Sequence, residues 1–202
     1  MSDRIALALA AVGHGLAVFD LPPSEKRPGP GWQQRATTDP EQVRRWLAAE
    51  CNLGVGCRAS AVMGLDLDRH GDDADGIASF EALCTRHCHD WPTTLTTATP
   101  RAGIHMYFRV PADIVVLSTS GGTAGLGPGI DTRGPGRRSG GYLLAPGSVV
   151  PAGAYTLARN CPIADLPDWL ASLLVSPEQQ SNGSLRFRPL RRAPAPYGDT
   201  AS

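Results

Sequence analysis

The chain has 202 residues and a formal charge of zero, from 19 basic and 19 acidic side chains. This excludes a protein held to polyanions by bulk charge, so any contact with nucleic acid must come from local patches. With Gly 23 and Pro 18, roughly a fifth of the chain is turn-forming, well short of a disordered composition, so one globular domain of many short elements is expected.

In chain order, Ser2 can cap a helix whose apolar positions Ile5, Ala8, Leu9 and Val12 follow helical spacing, with Gly13 and Gly15 to end it. Its apolar run, residues 5–12, is too short and alanine-rich for a signal peptide, and no segment is long enough to span a membrane. Five cysteines form no secreted disulfide framework, so reduced thiols and a cytoplasmic location are expected. Residues 16–21 read as a strand. Residues 22–32 hold Pro22, Pro23, Pro28 and Pro30, an irregular loop that carries Lys26 and Arg27. Asp39, Pro40 and Gln42 mark a helix start with a capping box, and Val43, Trp46 and Leu47 mark its buried face. Residues 52–57 read as a strand whose two glycines permit close approach by a ligand or a neighbouring strand.

Residues 61–68 form an apolar run that ends in Asp66-Leu67-Asp68. Side chains alternate across a strand, so both carboxylates share one face, with Cβ atoms roughly 7 Å apart, within reach of one divalent metal site. The polar stretch 69–73 then breaks the pattern and leaves the acids at a strand end, where ligand sites of open sheets lie. Ile77, Phe80, Leu83, Cys84 and His87 or Cys88 keep helical spacing up to Trp91-Pro92. Residues 94–99 and 104–110 read as a hairpin turning through 100–103, with His105 at the start of its second strand.

Glycine dominates 118–141, apart from a strand-like island at 129–134 that holds Asp131 and Arg133. Residues 142–145 read as a strand, Ser148 as a turn residue, and 166–175 as a helix begun by Pro167. The expected organisation is a domain over 1–176 and a flexible tail over 177–202 that carries Arg186, Arg188, Arg191 and Arg192.

Asp66, Asp68 and Asp131 form a candidate hard-cation site, since magnesium and manganese prefer carboxylate oxygens. Two such ions roughly 3.5–4 Å apart serve nucleotidyl transfer, and a histidine and an arginine, His105 and Arg133, suit a triphosphate. The cluster Cys84, His87, Cys88, His89 lacks a CxxC knuckle, and its cysteines fall one helical turn apart in a core-like pattern. Structural zinc is therefore not expected there.

These motifs resemble, in order, the primase-polymerase (prim-pol) branch of the archaeo-eukaryotic primases, found in plasmid and phage replication proteins. The resemblance covers roughly residues 5–155. An apolar strand ending in DxD is similar to Met63-Gly-Leu-Asp66-Leu-Asp68, a small-x-His motif before an aromatic strand to Gly103-Ile104-His105, and an apolar-acid pair to Ile130-Asp131. The flanks are similar too: the Lys26–Trp32 loop, the helix start at 36–40 and the strand and turn at 141–149. One departure is the bulky Ile104, where members of the family often place a small or basic residue.

The resemblance implies an α+β, single-domain archaeo-eukaryotic primase fold, a mixed sheet flanked by helices. It implies that Asp66, Asp68 and Asp131 bind magnesium or manganese and are catalytic, and that His105 binds the nucleotide's phosphates with Arg133 and Lys26 as further contacts. The activity implied is synthesis and extension of primers on single-stranded DNA from nucleoside triphosphates, with a helicase as a further partner. The residues alone also suit a metal-dependent nuclease or phosphohydrolase, and a non-catalytic single-strand-binding module.

Overall fold

A computed structural model describes residues 2–69, 74–121, 125–138 and 140–175. The tail from 177 and the stretch 70–73 lie outside the described residues. The chain runs α1 (Ser2–Gly13), β1 (Val18–Leu21), α2 (Trp32–Arg35), α3 (Pro40–Ala48), β2 (Asn52–Gly56), β3 (Val62–Leu67), α4 (Gly76–Arg86), β4 (Thr96–Ala98) and β5 (Ile104–Arg109). It continues through β6 (Ile130–Arg133), β7 (Tyr142–Leu144), β8 (Val149–Val150), β9 (Gly153–Ala154), β10 (Thr156–Arg159), β11 (Ala164–Asp165) and α5 (Asp168–Leu174).

The strands form a three-stranded sheet, β1-β2-β7, and a larger one in the order β10-β4-β5-β3-β6, with β11 added parallel to β5. β8 and β9 make a separate small hairpin. The fold is α+β, as the sequence implies.

Alternation along β3 decides the layout. Met63, Leu65 and Leu67 point into a core built with Phe80, Leu83 and Cys84 of α4 and Leu170 and Ala171 of α5. On the opposite face Val62 joins a second core, between the two sheets and under α1 and α3, with Leu53, Val55, Tyr107 and Leu143. Asp66 lies on that second face, beyond the end of the apolar packing. α4 starts where Asp75 accepts hydrogen bonds from the Ile77 and Ala78 amides. In α3, Asp39 caps by accepting from Glu41 N, while Gln42 accepts from Arg45 rather than closing the capping box. Trp46 is only partly buried beside Val43 and Leu47.

The short α2 and strands β8 to β11 are not marked in the sequence, because no apolar run or alternation sets them off from the turns around them. The close approach at Gly54 proves to be a neighbouring ring: a Cβ there would fall 2.3 Å from Phe19 Cζ. Ser148 is a buried tie, its hydroxyl donating to the Leu53 carbonyl at 2.9 Å and accepting from the Leu53 amide at 3.0 Å. Among the described residues no helix is long and apolar enough to cross a membrane.

Candidate active site

Asp66 is flanked on both sides in register, by His105 of β5 and by Asp131 of β6. Directly opposed residues project to the same face, so two acids and an imidazole meet across β5, β3 and the edge strand β6 of the larger sheet. Arg133, two residues beyond Asp131, shares that face. Its Nη2 lies 3.7 Å from Asp66 Oδ2 and 3.8 Å from Asp131 Oδ2, and its Nη1 donates to the Thr119 carbonyl.

Asp68 follows the end of β3 and is held by its backbone. Its amide donates to Gly129 O at 2.9 Å, and its carbonyl accepts from Gly76 N at 2.8 Å. This three-way crossing leaves no room for side chains: a Cβ at Gly76 would meet Gly129 O at 2.2 Å. A Cβ at Gly103 would meet Leu67 O at 2.6 Å and Asp68 Cα at 3.4 Å. The small residue of the small-x-His motif is therefore required by the strand end that carries the acids.

The face opens into a cleft of about 820 Å3 lined by Asp66, Asp68, His105, Arg133, Lys26 and Arg101, among others. Asp131 instead lines an adjoining hollow of about 600 Å3, which it shares with Asp68, and its Oδ2 accepts from Gly121 N at 3.1 Å. Lys26 extends from its exposed loop so that Nζ stands 5.9 Å from the Tyr155 ring centroid, and the His105 ring lies 5.6 Å from the same ring. Tyr155 is buried, and it links the distant loop lysine to the sheet histidine. Nothing in the sequence marks it as a site residue, nor Trp32, Arg101 and Tyr142 of the cleft wall, since each is an isolated residue outside the motif cores.

Electrostatics set Asp66 apart. Burial, aided by Asp68 and Asp131 and opposed by Arg133 and Lys26, pushes its carboxyl up to about 7. Burial pushes His105 down to about 3 against the pull of the Leu144 carbonyl, with Arg133 and Lys26 lowering it further, so the ring is neutral at ordinary pH. His105 Nε2 approaches Asp66 Oδ1 at 3.4 Å, but without hydrogen-bond alignment. Asp66 Oδ1 and His105 Nδ1 are, among the described residues, the buried side-chain polar atoms without a hydrogen-bond partner.

A buried carboxylate with an orphaned oxygen, beside two further acids, fits a hard divalent cation in both charge and donor chemistry. Among the described residues no three His, Cys, Asp or Glu side chains converge closely enough to cage an ion as they stand. In the Cys84 to His89 group, Cys84 packs into the core while Cys88 is exposed, and the His87 and His89 rings stack on Trp169 at 5.7 and 5.1 Å.

The family described as bifunctional DNA primase/polymerase, N-terminal, matches residues 8–169. The chain belongs to that family. The matched span contains every element from β1 to β11 and the start of α5, hence the whole acidic cleft of this primase/polymerase domain. Membership makes it a nucleotidyltransferase-type enzyme whose substrates are DNA and nucleotides. No curated protein matches the chain closely enough to add a relative.

Proposed function

We propose that this domain synthesises and extends primers on single-stranded DNA by nucleotidyl transfer, with Asp66, Asp68 and Asp131 as its catalytic acids. The observation that carries the reading is the register itself: Asp66 sits between His105 and Asp131 on one sheet face, in a cleft that also collects Lys26, Arg101 and Arg133. Carboxylates beside cations at one strand end suit a reaction in which phosphate charge must be gathered and then redistributed.

In this reading Asp66, Asp68 and Asp131 would hold magnesium or manganese, which when bound would offset phosphate charge and acidify the attacking hydroxyl. Lys26 and Arg133 supply charge to the triphosphate. His105, neutral through burial, supplies a hydrogen bond and no charge. The cleft aligns a 3′-hydroxyl with the α-phosphorus of the incoming nucleotide; the new P–O bond forms as the bond to pyrophosphate breaks, and no covalent enzyme intermediate arises. Plasmid or phage replication beside a helicase is the setting that the family resemblance suggests, and the unpaired cysteines suit the cytoplasm.

The test is incorporation of labelled nucleotides on primed and unprimed single-stranded DNA, with magnesium or manganese, by the wild type and an Asp66→Ala, Asp68→Ala double variant. Product on both templates, lost in the variant, is expected. Degradation of the template without elongation would replace this reading with a nuclease. Tight DNA binding with no product from the wild type would leave a binding module.

A further inference from the structure

Next to the acidic cleft lies a hollow of about 350 Å3 whose lining includes Trp32, Gln33, Gln34, Arg58 and Arg138. It shares Trp32 and Gln33 with the acidic cleft. It also shares Arg58 with a third depression, of about 660 Å3, that adds Arg137. The three are therefore neighbours on the surface, each divided from the next by side chains that line both. Among the described residues no carboxylate lines the middle hollow, and Asp113 is the one acid that lines the third.

On a chain of zero net charge this is a local excess of positive charge. Arg35, Arg44, Arg45 and Arg69 are each paired with a carboxylate, and Arg133 with two. Arg58 and Arg138 are exposed and have no carboxylate partner among the described residues. Arg58 is nevertheless held in place, its Nη1 donating to Gly136 O at 3.2 Å. Trp32 is braced by Phe19, with ring centroids 4.4 Å apart, and by Tyr142 at 5.2 Å, and it remains only partly buried. A fixed aromatic edge at the mouth of a cationic groove is the arrangement that takes stacked bases on one side and a phosphate backbone on the other.

We infer that the groove through Trp32, Arg58, Arg138 and Arg137 carries the single-stranded template away from the acidic cleft. The inference rests on the nucleotidyltransferase reading above. A strand is favoured over a nucleotide's triphosphate because these cations are spread over two successive hollows rather than converging on one point. The cations that do share a chamber with the acids, Lys26, Arg101 and Arg133, lie in the cleft itself.

The experiment measures binding of the full chain to a fluorescein-labelled oligodeoxythymidylate of about 20 nucleotides, longer than one site needs, by anisotropy over a salt series. Binding of a labelled nucleoside triphosphate is measured in parallel. An Arg58→Ala, Arg138→Ala double variant is expected to lose about tenfold or more in oligonucleotide affinity. Its slope of log affinity against log salt should flatten by about 1.4, from about 0.7 per lost phosphate contact. Nucleotide affinity should hold. Arg138→Glu, at an exposed position with no carboxylate partner among the described residues, is expected to weaken the oligonucleotide in the same direction and covers the event that the double variant fails to fold.

Unchanged oligonucleotide affinity and salt slope in folded variants, or no measurable oligonucleotide binding by the wild type, would overturn the inference. Lost nucleotide affinity with oligonucleotide affinity retained would overturn it too, and would assign the arginines to a triphosphate. If the wild type binds the strand through these arginines yet incorporates no nucleotide, the groove stands and the catalytic reading falls. If the wild type incorporates nucleotide and the variants bind the strand as it does, the groove falls and the reading stands.

Discussion

Asp66 and His105 stand directly opposite one another across the β3–β5 ladder, with Nε2 3.4 Å from Oδ1, and burial drives both toward their uncharged forms. Two groups that would pair as ions in water are instead buried in the cleft wall, a carboxyl near pH 7 beside a neutral imidazole. A site in that condition is short of positive charge, which a divalent cation and the cleft's own Lys26 and Arg133 can provide.

Asp66→Asn is expected to stabilise the protein in EDTA while abolishing incorporation. The folded, cation-free protein keeps the Asp66 proton up to about pH 7 against an ordinary 3.8. The unfolded chain releases it earlier, so wild-type stability falls as pH rises from about 4 to 7 and then levels off. Removing the buried charge should recover on the order of 2 kcal/mol at pH 8, seen by calorimetry as a rise of about 5 °C in Tm. A wild-type Tm with no downward drift over that window, matched by an unshifted variant, would refute the buried charge.

His105→Ala should lower kcat/KM for the nucleotide by about 100-fold, the loss typical of one donor aimed at developing charge. Oligonucleotide affinity should be little changed. Because the ring is already neutral, its pKa pushed down to about 3, the pH–rate profile around neutrality should keep its shape in the variant. A limb near pH 6 in the wild type that vanishes in the variant would contradict this.

Gly103→Ala places a methyl group 2.6 Å from Leu67 O and 3.4 Å from Asp68 Cα. The strand end must shift, at a cost of about 1–3 kcal/mol. Denaturant unfolding should show that loss, and incorporation should fall further than stability alone explains, because the displaced backbone carries Asp68. A variant with full activity would separate the glycine from the site.

Thiol chemistry gives a check on the fold that is independent of activity. Cys88 is exposed, whereas Cys57 is buried and its thiol is pushed up to about 12 by burial. Brief alkylation of the native protein, mapped by mass spectrometry, should mark Cys88 first and leave Cys57 untouched until the chain is unfolded.

The acids, the histidine and most of the longer elements were legible along the chain. Strand alternation made the 61–68 run a strand with Asp66 and Asp68 on one face, and Asp39-Pro40 marked the start of α3. Short strands such as β8, β9 and β11 were not legible, since two residues are extended only because a neighbour pairs with them. Gly103 could be counted as a small residue in a motif, but the carbonyl it makes room for lies on another strand.

Local rules reached as far as residue type and periodicity: the acids had to end a strand, and Lys26 had to sit in a loop. Which groups meet was decided by registry between segments far apart in sequence. Asp131 came to lie opposite Asp66, Arg133 between the two acids, and Tyr155 beneath both Lys26 and His105. Arg58 and Arg138 share a groove with Trp32 for the same reason. Side-chain proximity, burial and the shifted charge states that follow from them are properties of the packed sheets, where each residue's environment is built by strands remote from it along the chain.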